Sequence, residues 1–211
     1  MDGIFITIEG TDGSGKSTQL ELLTKYLEEK GVEAVYTREP GGTAISEKIR
    51  EIILDIENKE MTGITEALLY AAARSQHVEE KIIPAVKAGK VVICDRFVDS
   101  SIAYQGAARN LGFDTIMGIN SYALNGIMPD KTLFFDLKPE KGILRKKNQQ
   151  ELDRLETEKL DFHKKVYEGY ESICEKYPDR VVRIDADRSV EEVFEEVKTA
   201  IDSLLKGKYY V

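Results

Sequence analysis

Gly10-Thr11-Asp12-Gly13-Ser14-Gly15-Lys16-Ser17 fits the pattern G-x-x-x-x-G-K-[ST] with every position filled. The pattern carries a mechanism. Its glycines let backbone N–H groups turn inward onto phosphate oxygens. Lys16 supplies a point charge for the outer phosphates, and the Ser17 hydroxyl can ligate Mg²⁺. A helix must follow, so that its positive N-terminal end adds to the cradle. The flanks agree. Ile4-Phe5-Ile6-Thr7-Ile8 is β-branched and aromatic and reads as a strand, while Leu20, Leu22, Leu23, Tyr26 and Leu27 recur at helical spacing up to Gly31. The run Gly10, Thr11, Asp12, Gly13, Ser14, Gly15, Lys16, Ser17 and Thr18 is therefore expected to hold a nucleotide's phosphates.

Four more β-rich segments punctuate the chain: Ala34–Thr37, Val91–Cys94, Thr132–Phe135 and Val181–Ile184. Helical patterns fill the intervals. Such alternation predicts an α/β fold of three layers, a five-stranded parallel sheet with helices on both faces. Each strand ends in a polar cluster: Glu9 with the P-loop, Arg38-Glu39, Asp95-Arg96, Asp136 and Asp185. One site along the carboxyl edge of the sheet follows. The 211 residues are expected to form a single domain, with a charged segment at 138–156 as a mobile lid carrying Arg145 and Arg154.

Composition excludes other classes. With 38 acidic against 30 basic residues the formal charge is −8, which argues against nucleic acid as a partner. No basic-then-apolar leader and no long apolar run appears, so neither export nor membrane insertion is expected. Cys94 and Cys174 form no metal-ligand pattern, and a reduced cytoplasmic chain is expected. His77 and His163 stand alone in sequence and are expected at the surface or in packing.

Beyond the P-loop, Arg38 before Pro40-Gly41-Gly42 suits a bidentate grip on a second phosphate, with Arg50 pointing at the same anion. Asp95, closing an apolar strand, suits a Mg²⁺ site, and Arg96 offers another phosphate ligand. On a helix, Ser101, Tyr104 and Gln105 share one face, which suits a sugar and a base edge. Tyr70 and Arg74 pair likewise at i, i+4: a ring to stack on a base and a donor for its carbonyl. A core tyrosine with a surface arginine is the competing reading.

These blocks resemble the thymidylate kinase family along nearly the whole chain. The matching pieces are Glu9-Gly10-x-Asp12-Gly13-x-Gly15-Lys16-Ser17, Arg38-Glu39-Pro40-Gly41-Gly42-Thr43, Ala72-Ala73-Arg74-x-Gln76, Asp95-Arg96-Phe97-x-x-Ser100-x-x-Ala103-Tyr104-Gln105-Gly106, Pro129-Asp130-x-Thr132 and Leu152-Asp153-Arg154. The resemblance implies a P-loop nucleoside monophosphate kinase fold, ATP and Mg²⁺ as cofactors, dTMP as substrate, and a homodimer. It implies that Asp12 approaches the sugar 3′-OH, that Arg38, Arg96 and Arg50 hold the dTMP phosphate, and that Tyr70 stacks on thymine. Arg74, Ser101 and Gln105 then meet the base edge, and Tyr104 lies against C2′. The family places an arginine near the transferring phosphate. Gly13 excludes the P-loop version, which leaves Arg145 or Arg154 of the lid.

Two alternatives bear comparison. Another P-loop nucleoside or nucleotide kinase would share most of these residues. A GTPase-type switch needs a guanine-reading Asn-Lys-x-Asp after a strand; the nearest text, Asn58-Lys59-Glu60-Met61, lacks the final Asp.

Overall fold

The computed structural model describes residues 3–146 and 153–206. Five strands, β1 (Ile4–Gly10), β2 (Ala34–Arg38), β3 (Val91–Asp95), β4 (Lys131–Asp136) and β5 (Val181–Asp185), form one sheet in the order β2-β3-β1-β4-β5. All four pairings are parallel. Both faces are covered. Ile4, Ile6 and Ile8 point to one side, where they meet Leu23 and Leu27 of α1 (Lys16–Glu29) and Val197, Ile201 and Leu205 of α9 (Val190–Lys206). Phe5, Val92 and Cys94 point to the other, against Val78, Ile82 and Phe97. Burial on both faces explains why the strands read as near-continuous apolar runs. Strand β1 extends two residues beyond the predicted Ile8, because Glu9 and Gly10 keep pairing with Phe134 and Phe135 of β4.

Helices α2 (Ala44–Leu54) and α3 (Gly63–His77) follow β2. Chain 78–82 continues α3 as a π-helical stretch into the short α4 (Ile83–Lys87). After β3, a single turn, α5 (Val98–Ser101), widens into a second π-helical stretch, Ile102–Ala108. There the Arg109 N–H bonds the Tyr104 carbonyl, five residues back, at 3.0 Å. Helix α6 (Phe113–Asn120) leads to β4. Helix α8 (Leu160–Lys176) packs closely on the wide stretch: a Cβ added at Gly169 would come within 2.9 Å of Ala103 Cα and Ala107 Cβ. Between β4 and α8 lies α7 (Pro139–Lys146). Residues 147–152 of the expected lid lie outside the described residues. A capping box precedes α9: the Ser189 and Glu192 side chains each accept from the other's backbone N–H.

Candidate active site

The P-loop joins the end of β1 to α1. Gly13 and Gly15 take φ of 75° and 89°, a region that only glycine enters without strain. No acidic residue sits in the first turn of α1, so no side chain of that turn opposes an anion at its amide end. A cavity of ≈ 370 Å³ is lined by Asp12 to Thr18 together with Asp95, Arg96 and Arg145. Gly10 and Thr11 stand behind it: their carbonyls accept from Lys16 Nζ at 3.1 and 3.0 Å. Burial, and next the nearby charge of Arg96, pull the Lys16 ammonium down to about 8. Ser17 and Thr18 are exposed at the cavity wall. Asp95 Oδ1 and Ser14 Oγ are buried with no protein partner. Among the described residues no cluster of three or more His, Cys, Asp or Glu could hold a metal ion alone. The pair Ser17 and Asp95 does suit a hard cation that completes its shell with phosphate oxygens and water.

A second cleft, ≈ 170 Å³, adjoins the first and shares Asp12, Asp95 and Arg96 with it. Arg38, Arg50, Tyr70, Arg74, Tyr104 and Gln105 all line it, so residues 67 positions apart in sequence meet at one wall. Arg96 holds the partition. Its backbone takes a left-handed φ of 67°, costly for a bulky residue. The guanidinium compensates by donating to Gly10 O at 2.9 Å and Asp12 Oδ1 at 2.7 Å. Asp12 also accepts from the Tyr104 hydroxyl at 3.2 Å, while Arg96 lies over the Tyr104 ring at 5.2 Å. Arg50 donates to Pro40 O, and half-exposed Arg38 pairs with Glu47 rather than with its neighbour Glu39. Neither arginine is neutralised deep in the protein, so both can turn to an anion.

Arg74 is no surface residue. It is 1% exposed, with Nε on Glu39 at 2.7 Å, Nη1 on Asn120 and Nη2 on Ser101 at 3.1 Å. Three of its five N–H donors are thus spent on fixing its plane. Ser101 is correspondingly not on the cleft wall; Ser100 is. The expected shared face of Ser101, Tyr104 and Gln105 fails because the helix widens between them, which re-phases the later two. His77, too, is neither surface nor passive packing. It is fully buried, with Nδ1 on Glu39 at 2.9 Å and Nε2 on Thr37 Oγ1 at 2.7 Å.

The lid arginines separate. Helix α7 lies backbone to backbone on the P-loop: a Cβ at Gly13 would sit 2.3 Å from Gly142 O, and one at Gly142 would sit 2.2 Å from Asp12 O. That contact delivers Arg145 to the P-loop cavity, where Nη1 reaches Gly13 O at 3.4 Å. Arg154 is not brought there. It is buried, donating from Nε to Ile53 O at 2.8 Å and from Nη2 to Glu66 Oε2 at 2.6 Å.

The comparisons with known proteins agree with this geometry. The family model described as thymidylate kinase matches residues 8–197. The chain belongs to the thymidylate kinase family. Among its relatives, the thymidylate kinase of Clostridium novyi (strain NT) is 56% identical over 198 residues, covering 93% of this chain and 97% of that protein. That of Geobacillus sp. (strain WCH70) is 52% identical over 210 residues, 99% of this chain and 100% of the relative. The crystal structure of thymidylate kinase from Ehrlichia chaffeensis superposes with a TM-score of 0.78 at 33% identity, covering 96% of this chain and 99% of that one. Thymidylate kinases are phosphotransferases, and the five-stranded parallel sheet is the P-loop kinase fold.

Several working residues were given no role of their own by the sequence blocks. Glu9, fully buried at the end of β1, accepts from Phe97 N at 2.7 Å, Ser100 Oγ at 2.6 Å and Tyr170 OH at 2.8 Å. It ties the P-loop strand to the turn that carries Arg96. Burial, and then the charge of Asp99, push its carboxyl up to about 7. Glu39 and Asn120 orient Arg74, and Gly142 seats the lid helix. Only Glu9 and Glu39 carried a local signal, as polar residues closing apolar strands. No helix is long and apolar enough to cross a membrane among the described residues.

Proposed function

We propose that this chain transfers the γ-phosphoryl group of ATP to dTMP, giving dTDP and ADP, with Mg²⁺, as a cytoplasmic step toward dTTP. The observation that carries the reading is the pair of adjoining cavities with a common wall at Asp12, Asp95 and Arg96. A donor phosphate cradled by the P-loop and an acceptor phosphate held by Arg38 and Arg50 would face each other across that wall. An oxygen of the dTMP phosphate attacks the γ-phosphorus, and the bond to the β,γ-bridging oxygen breaks. The attacking oxygen is already anionic, so no general base is needed. Positioning and charge neutralisation supply the acceleration.

Lys16 and the P-loop amides hold the donor's outer phosphates. Ser17 and Asp95 would hold Mg²⁺, which would neutralise charge on the donor's phosphate oxygens. Arg145, already at the P-loop, supplies the planar guanidinium to the transferring group. Arg96 and Asp12 hold each other in place between the phosphate and the sugar. Tyr70 gives a face for thymine and Arg74 a donor for its carbonyl. The Tyr104 ring, packed against Arg96 and tied to Asp12, leaves no partner for a 2′-OH.

A homodimer fits the same reading. Ile45 and Ile52 on α2, Ile56 after it, and Ile64 and Leu68 on α3 are large apolar side chains between 44% and 52% exposed. Exposed apolar side chains on two neighbouring helices are the surface a second copy would cover.

The test is ADP release with ATP and a panel of nucleoside monophosphates. The expected order of kcat/KM is dTMP, then dUMP, with UMP and dCMP far behind. The missing thymine methyl costs dUMP only about 1 kcal/mol. In Tyr104→Ala the gap between dUMP and UMP should narrow. If UMP already matches dUMP in the natural protein, the deoxyribose filter is wrong and a broader pyrimidine kinase is the better reading.

A further inference from the structure

Glu66 belongs to none of the sequence blocks above, yet its carboxylate is fully buried beside the nucleoside cleft. Three side chains converge on it. Gln105 Nε2 donates to Oε1 at 2.8 Å, and Arg154 Nη2 donates to Oε2 at 2.6 Å. Arg109 reaches it through Nε at 3.4 Å and Nη2 at 3.2 Å, and binds Glu158 with Nη1 at 2.6 Å. The set is balanced: Glu66 and Glu158 against Arg109 and Arg154. Arg154 is further fixed by its bond to Ile53 O, so neither carboxylate oxygen of Glu66 has room to turn away.

The consequence falls on Gln105. A side-chain amide offers a donor end and an acceptor end, and packing alone scarcely distinguishes them. A carboxylate only accepts, so Glu66 forces the NH₂ end of Gln105 toward itself. The carbonyl oxygen is then the end left over. Gln105 lines the nucleoside cleft, and its Oε1 is buried with no protein partner. A buried acceptor of this kind needs a donor from the ligand, and mismatching it leaves two acceptors facing each other. A pyrimidine with N3–H, as in thymine or uracil, provides that donor. Cytosine presents a bare N3 acceptor there.

We propose that Glu66 is a specificity-determining positioning residue: it locks the Gln105 amide with its oxygen toward the nucleobase, and so selects pyrimidines that carry N3–H over cytosine. Arg154 and Arg109 serve this role by immobilising Glu66, which gives Arg154 a function away from the transferring phosphate. The inference rests on the thymidylate kinase reading of the cleft and deepens it.

The experiment compares kcat/KM for dTMP and dCMP in the natural protein, Glu66→Gln and Gln105→Leu, with thermal unfolding of each. In Glu66→Gln the residue facing Gln105 can donate as well as accept, so the Gln105 amide is free to flip. The dTMP-to-dCMP ratio should fall by about tenfold to a hundredfold, from a rise in KM for dTMP together with a gain for dCMP. A purely structural role would lower both substrates together and leave the ratio unmoved. Gln105→Leu removes the acceptor without touching the ion pairs and should cut the ratio likewise, which keeps the test intact if Glu66→Gln does not fold. An unchanged ratio in the folded Glu66→Gln variant overturns the proposal, as does an unchanged ratio in Gln105→Leu. Absence of a dTMP preference in the natural protein would instead sink the parent reading of the cleft.

Discussion

Replacing Glu39 by Gln should destabilise the protein by about 3 kcal/mol, because it strands a buried guanidinium. Arg74 and Glu39 have side chains only 1% and 2% exposed, and their bond is 2.7 Å long. The other oxygen of Glu39 takes His77 Nδ1 at 2.9 Å. A glutamine keeps the shape but removes the charge. It also keeps a single acceptor: with that oxygen on Arg74, its NH₂ end faces His77 Nδ1, and the imidazole must change tautomer to accept from it. Breaking a buried ion pair by removing one partner costs roughly 3–5 kcal/mol, and the isosteric change with one surviving acceptor sits at the lower edge of that range. Against a total stability on the order of 5–15 kcal/mol this is a large share, and at this chain length it corresponds to a fall in Tm of about 6–12 °C. Urea unfolding of the natural protein, Glu39→Gln, Arg74→Met and the double variant gives a complete cycle. The double variant should recover much of the loss, since it no longer buries an unmatched charge; a coupling of about 2 kcal/mol is expected. A cost below about 0.5 kcal/mol for Glu39→Gln, or additive effects in the cycle, would refute the claim that Glu39 is the counterion that makes a buried Arg74 tenable.

Two further variants and a pH series probe the rest of the site. Arg145→Ala should lose at least about a hundredfold in kcat with little change in unfolding free energy, since Arg145 is exposed at the P-loop, whereas Arg154→Ala should lose about 2–4 kcal/mol of stability by leaving buried Glu66 with Arg109 as its one cationic partner. Equal kcat losses in both would return Arg154 to the transferring phosphate. Glu9 carries a folded value near 7 against an ordinary 4.5, so the folded state binds the extra proton between those values. Its contribution is therefore fully favourable below about 4.5 and is lost as pH rises through about 7, and Glu9→Gln should flatten the slope of stability between pH 5 and 8. An unchanged slope in that variant would assign the pH dependence to other groups.

Strand positions, the phosphate loop and the arginine-bearing strand ends were legible in the sequence because each is a local pattern with one physical cause. Ile4, Ile6 and Ile8 alternate with Phe5 and Thr7 across a sheet covered on both faces, and Gly13 and Gly15 mark backbone that turns left-handed. Tyr70 and Arg74 were legible as a pair for the same reason, one helical turn apart. What failed was anything set by a partner far along the chain. The Glu66 that holds Arg154 is 88 residues away, so nothing local in the charged segment distinguished Arg154 from Arg145. The His77–Glu39 contact spans 38 residues, which left an apparently solitary histidine. Ser101 was misplaced for a third reason. Helical spacing assumes α geometry, and a wide turn between Ser101 and Tyr104 changes which residues share a face.

The mutual contact of Gly13 and Gly142 makes two sequence positions a single steric decision. A P-loop side chain at position 13 and an α7 backbone at position 142 compete for the same few cubic ångströms, so the chain admits either a guanidinium rooted in the loop or one delivered by the docked helix. The two sources of positive charge are therefore exchangeable in evolution only as a unit: a substitution at 13 must be accompanied by retreat of the helix, and with it the loss of Arg145 from the cavity. Grafting an arginine onto the loop of this enzyme would remove the cation it was meant to reinforce.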